Sequence, residues 1–151
     1  MTNVKDNTLQ SLEKDKKFMQ IVTDPYYSMD TRLDLLEQIN NQEILTTIAL
    51  TSAFFKIAKA ATLRLSSQEC LTNIATTAVS WRIRILAVPK LNDQITLAQI
   101  AMNDESMKVR KVAIENITNC DFLKFIFVNC TDKDLKQTIH KRVISLYRQI
   151  S

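Results

Sequence analysis

Apolar side chains recur along this chain with a period of 26 residues, and five columns carry the pattern. They read Leu45, Ile48, Ile57, Ala61, Leu65; Leu71, Ile74, Ile83, Ala87, Leu91; Leu97, Ile100, Val109, Ala113, Ile117; and Leu123, Ile126, Leu135, Ile139, Val143. All twenty positions are apolar, where a chain that is 46% hydrophobic would place about nine by chance. Spacing without insertions over four copies is the signature of stacked structural repeats.

Within a copy the first apolar step, such as Leu97 to Ile100 with Ala101 beside it, fits a short amphipathic helix. The second group, such as Val109, Val112, Ala113 and Ile117, is spaced i, i+3, i+4, i+8 and fits another. Each repeat is therefore expected to be a helical hairpin, and the chain to be all-α. Asn40, Ser66, Asn92 and Thr118 are expected to cap the first helices, and Thr51, Thr77, Asn103 and Asn129 the second ones. Ser66 with Glu69 has the spacing and residue types of a capping box, and Asn40 with Glu43 the spacing. Asparagine also tolerates the left-handed conformation that ends many helices, a route by which the chain can do without glycine. The expected organisation is one domain over 1–151. A flexible stretch covers 1–8, a cap and degraded repeat 9–40, repeats 41–66, 67–92, 93–118 and 119–144, and a helix end 145–151. The degraded copy shows in Thr31, Leu35 and Ile39, led in by Asp24-Pro25, with Pro25 suited to a first helical turn. Leu9, Leu12, Met19 and Val22 suggest one more helix in front.

A 26-residue period also invites a leucine-rich repeat, but the positions two before Ala49, Ala75, Ala101 and Phe127 hold Thr47, Asn73, Gln99 and Phe125, without strand alternation. The stretch Asp104 to Asn116, D-E-S-M-K-V-R-K-V-A-I-E-N, instead resembles the second helix of short HEAT-like repeats. Ile83-Arg84 with Ala87 and Pro89 looks similar, and Leu135-Lys136 with Ile139 more loosely. The resemblance spans Asn41 to Ile144 and implies a right-handed α-α superhelix of four to five hairpins. It does not imply an activity, because HEAT-like proteins include adaptors, transport factors, DNA glycosylases and lyases.

Composition narrows the chemistry. The chain has 151 residues and no glycine, against roughly ten at average usage of about 7%. That excludes a Walker loop, a dinucleotide fingerprint and the usual nucleophile elbow, whose backbone positions need glycine. Disorder and membrane spanning do not fit 46% hydrophobic and 24% charged residues without a long apolar run. Net charge is +4, and it is uneven: from residue 81 onward twelve basic side chains face seven acidic ones, leaving the N-terminal part at −1. A basic half suits an acidic protein or a phosphate backbone. Cys70, Cys120 and Cys130 form no CxxC pair and leave an odd thiol, which fits a reducing cytoplasm. Met1 to Lys17 is polar and mixed in charge, so no signal peptide or anchor is expected.

Candidate binding residues are Trp81, Arg82, Arg84, Lys108, Arg110, Lys111 and Lys136. Arg84, Arg110 and Lys136 share a column, so stacked neighbours about 8–10 Å apart would set their charges in a row. The competing reading is what the HEAT-like resemblance implies: this arginine braces the turn between repeats, with Asp104 as the partner of Arg110. Lys56, Arg82 and Lys108 form a second column, broken at Asp134; Lys124, Lys141, Arg142 and Arg148 extend the basic surface. Trp81 is either an interface anchor or partly buried against the preceding hairpin. Tyr26 and Tyr27 are expected to cover the open N-terminal end of the core. His140, the single histidine, has no ligand partners at helical spacing and reads as structural, while Cys120 and Cys130 read as small apolar fillers. No catalytic, cofactor or metal constellation emerges. The expectation is a non-enzymatic scaffold, adaptor, assembly factor or inhibitor that binds another protein, an acidic one by charge. The alternative is a nucleic-acid binder using the basic half.

Overall fold

The 26-residue pattern resolves into paired helices. The computed structural model describes residues 3–150, and among them there are ten α-helices and no strand. They are α1 (Asn3–Thr23), α2 (Met29–Glu37), α3 (Gln42–Thr51), α4 (Phe55–Arg64), α5 (Gln68–Thr77), α6 (Trp81–Ala87), α7 (Gln94–Asn103), α8 (Met107–Asn116), α9 (Cys120–Asn129) and α10 (Lys133–Ile150). α6 is short and passes into a 3-10 turn, Val88–Lys90, because Pro89 has no amide to continue the ladder. α1 begins at Asn3, earlier than the Leu9 start that its apolar spacing suggested; residues 1 and 2 of the stretch expected to be flexible lie outside the described residues. Pro25 stands in a turn, and α2 starts at Met29 behind a Ser28 cap. None of the described helices is long and apolar enough to cross a membrane.

Two compact units make up the chain, Met1–Ile74 and Ala75–Ser151. In the first, α1 packs on α2 and α3, and α4 on α3 and α2. In the second, α7 packs on α8 and α9, and α8 and α9 each pack on α10, while α6 lies against α8. In both units a helix meets its hairpin partner and also the helix two places on. Nineteen of the twenty anchor residues are buried, and Val143 is half-buried. Val22 and Ile39, one period before Ile48 and Leu65, are fully buried too, so the pattern reaches back into α1 and the turn after α2. At about 1.5–3 kcal/mol for each large aliphatic side chain removed from water, these columns dominate the stabilising side of folding.

The turns differ from expectation in three ways. First, the caps of α3, α7 and α9 are Asn41, Asp93 and Asn119, one residue later than expected, and Ser67 accepts from the Cys70 amide at the start of α5. Asp93 accepts from the Thr96 hydroxyl and amide and from the Ile95 amide, which hold its carboxyl below the usual carboxylate range. A depressed carboxylate stabilises the fold above its unfolded-state pKa, and that contribution is lost only as pH falls through the lower folded value. Second, Thr51, Thr77, Asn103 and Asn129 end the first helices instead of starting the second ones. Thr51 and Asn129 hydrogen-bond back to the carbonyls of Thr47 and Phe125. Phe54, Ser80 and Ser106 precede α4, α6 and α8 without a side-chain cap. Third, no described residue adopts positive φ. The helices end on extended residues such as Ser52 (φ −66°, ψ 125°), Asp104 (φ −61°, ψ 136°) and Ile117 (φ −70°, ψ 130°), so a glycine or left-handed asparagine is not required.

Side-chain clasps at repeat spacing replace those backbone devices. Gln42 Oε1 accepts from the amides of Ser66 (2.7 Å) and Ser67 (3.1 Å), and Gln94 Oε1 does the same for Thr118 (2.7 Å) and Asn119 (3.2 Å). Buried Asp15 plays this part for Asn40 and Asn41, setting a carboxylate at the N-terminus of α3. On the opposite side of the same junctions, Arg64 donates to the Ile39 carbonyl and Arg142 to that of Ile117. Gln94→Ala should cost about 1 kcal/mol, the net value of an ordinary hydrogen-bond site, whereas Gln94→Glu retains an acceptor and should cost less. Thermal denaturation of the two variants side by side checks this, and equal losses would show that the clasp contributes nothing.

Candidate functional site

The members of the basic column divide by what they touch. Arg84 on α6 is buried, with Nε donating to Asp104 Oδ2 and Nη2 to Asp104 Oδ1, both at 2.8 Å. Its Nη1 donates to the carbonyls of Ala78 and Val79, and Nη2 also reaches Glu105 Oε1 at 3.1 Å. One guanidinium thus ties its own hairpin turn to the next one. The hydrogen bond to Asp104 raises the Arg84 pKa above its ordinary value against the opposing effect of burial. Asp104 therefore pairs with Arg84, not with Arg110 as the HEAT-like resemblance implied. Arg110 instead donates through Nε to the Ala101 carbonyl at 3.0 Å, and Lys136 lies 4.9 Å from the ring centre of Phe127.

Arg32 occupies the same column two periods before Arg84, and the sequence reading passed over it. It is 2% exposed, donates through Nε to the Val22 carbonyl at 2.7 Å, and stacks 4.1 Å from the Phe54 ring centre. Its Nη2 is buried without a hydrogen-bond partner. Arg84 does not join a surface row with Arg110 and Lys136: it is buried and its guanidinium is taken up by the Ala78 and Val79 carbonyls behind it and by Asp104 in the next turn, while Arg110 and Lys136 remain half-buried.

What remains outward is a cationic and aromatic cluster on α6 and α8. Trp81 opens α6 half-buried, and Lys108, one residue past the equivalent position on α8, places Nζ 4.4 Å from its ring centre. The exposed Arg82 guanidinium lies 5.4 Å from the same ring. Two cations from successive second helices thus hold one indole, at about 0.5–1 kcal/mol for each exposed contact. Lys111, one turn further along α8, pairs with exposed Asp134 at 3.6 Å, an ion pair worth about 0–1 kcal/mol. Of the seven candidates, the fold gathers Trp81, Arg82 and Lys108 at one place, sets Lys111 on the same helix as Lys108, buries Arg84, and leaves Arg110 and Lys136 half-buried against their own hairpins.

Three smaller expectations also change. Tyr26 is 96% exposed and Tyr27 is exposed as well, so neither covers the core. Cys130 is buried as a filler should be, but Cys120 is exposed at the start of α9. His140 is exposed and shares with Cys120, Lys124, Phe127 and Tyr147 an open groove of about 440 Å³ between α9 and α10. Among the described residues no group of three or more metal-ligating side chains converges. Comparison with protein-family models, with curated proteins and with solved structures finds no match for the chain.

Proposed function

We propose that this chain acts by binding rather than by catalysis, as a short HEAT-like solenoid that presents the α6–α8 face to another protein. The observation that supports this reading is the Trp81, Arg82 and Lys108 cluster. A half-buried indole is a rigid, low-entropy anchor, and its flanking cations favour a partner with acidic side chains around a small apolar contact. The braces and clasps hold this face rigid, and in the proposed right-handed superhelix of stacked hairpins neighbouring second helices would address one ligand together.

Affinity capture with the wild-type chain and with Trp81→Ala and Lys108→Glu tests the reading. Both variants should keep the wild-type melting temperature to within a few degrees and lose the captured protein, and capture by the wild-type chain should weaken as salt rises. Undiminished capture by both would sink it. The same surface stacked against nucleic-acid bases would give a mobility shift that falls steeply with salt, and a shift abolished by Lys108→Glu would replace the protein partner with a nucleic acid.

A further inference from the structure

The first helices form a second surface whose chemistry changes between equivalent repeats. Between α3 and α5 lies an open groove of about 590 Å³ lined by Glu43, Thr46, Thr47, Glu69 and Asn73. The groove between α7 and α9, about 480 Å³, uses positions 52 residues later, two full periods. There Glu43 is replaced by Ile95, Thr46 by Ala98, Cys70 by Phe122 and Asn73 by Phe125. The α3–α5 groove shows that this hairpin geometry does not require apolar residues at these sites. Yet Ile95 is 57% exposed and Phe125 54%, with Val128 exposed one turn on. The charge lining this groove is Asp121, and Asp93 caps the same end of α7.

Helix α10 supplies the complementary surface. α4 and α8 have ten residues each and break at Leu65 and Ile117, whereas α10 has eighteen and runs straight through the equivalent Val143. The residues beyond that position extend it by roughly two turns, about 10 Å. On this extension Ile144 and Tyr147 are exposed and lie on one face, flanked by exposed Lys141 and Arg148. An apolar stripe between basic residues matches an apolar groove edged by carboxylates in both hydrophobicity and sign.

We infer that the α7–α9 groove receives the α10 extension of a second copy of this chain. Each copy carries both halves of the contact, and in the inferred closed dimer the two copies exchange them reciprocally about a two-fold axis, with Lys141 and Arg148 set against Asp121 and Asp93.

The test is the mass of the full chain by sedimentation equilibrium from about 1 to about 500 µM, the range that a modest interface requires. The wild-type mass should rise toward twice that of one chain. Phe125→Glu in the groove and Ile144→Glu on the helix, both at exposed positions and checked for unchanged helicity, should each hold the chain at monomer mass. Asp121→Arg should weaken the dimer, and adding Arg148→Asp should restore it. A monomer at every concentration, or a dimer that survives both glutamate substitutions, overturns the inference. So does a monomeric chain whose groove instead binds an unrelated basic amphipathic peptide, because the occupant would then be another protein.

Discussion

Asp104→Ala is expected to be the most destabilising single substitution outside the apolar core, at about 3 kcal/mol. The side chains of Arg84 and Asp104 are 5% and 8% exposed and meet through two parallel hydrogen bonds. Removing the carboxylate leaves a guanidinium in the interior with only the Ala78 and Val79 carbonyls and the exposed Glu105 to receive it. It also deprives the Ser106 amide of Asp104 Oδ1, so the entry to α8 loosens at the same time. For a chain of this length the loss corresponds to a fall in melting temperature of roughly 6–12 °C. The cost arises from stranding a charge, so Arg84→Met combined with Asp104→Leu should recover most of it. A fall below about 2 °C for Asp104→Ala, or a double variant as unstable as the single one, would show that this pair does not brace the turns.

Ser52→Asp is expected to act in the opposite direction. Arg32 and Ser52 stand in the relation of Arg84 and Asp104, twenty residues apart in each case. Ser52 Oγ accepts from the Phe54 amide just as Asp104 Oδ1 accepts from that of Ser106, and the two backbones agree within about 11° in ψ. An aspartate at 52 can therefore keep the turn and also receive Arg32 Nη2, which is now buried and unsatisfied. Relieving an orphaned donor of this kind is worth about 1–2 kcal/mol, or roughly 2–8 °C in melting temperature. The gain must vanish when Arg32 is replaced by methionine. If Ser52→Asp stabilises the Arg32→Met background equally, its benefit comes from the turn and not from the pair.

The apolar columns were legible because burial repeats with the fold: Ile57, Ile83, Val109 and Leu135 stand 26 residues apart and are all inside. Helix existence and pairing follow from the same spacing. Polar contacts were less legible, since a period identifies which residues share a level and not where a long side chain turns. Asp104 looked like the partner of Arg110, on its own hairpin, and belongs to Arg84 on the one before. The cap shift from Asn40 to Asn41 arose because two adjacent asparagines both suit the position, and only the Asp15 carboxylate at the amide pair shows where the helix enters. Glutamine at 42, 68 and 94 was a visible signal that hydrophobic scanning passed over. Of the candidate site, the columns set Trp81 and Lys108 apart, because Lys108 stands one residue past the position equivalent to Trp81, and the withdrawal of Arg84 depended on Ala78 and Val79 offering carbonyls.

The clasps have a consequence for how the molecule comes apart. Gln42, Gln94 and Asp15 each satisfy the doorway amides of the hairpin that follows. A hairpin that frays therefore withdraws the acceptor from its successor's first amides and weakens the entry to the next helix by about the value of one hydrogen-bond site. Among the described residues the bends are made without positive φ, and side chains tie three of these joints to an earlier helix.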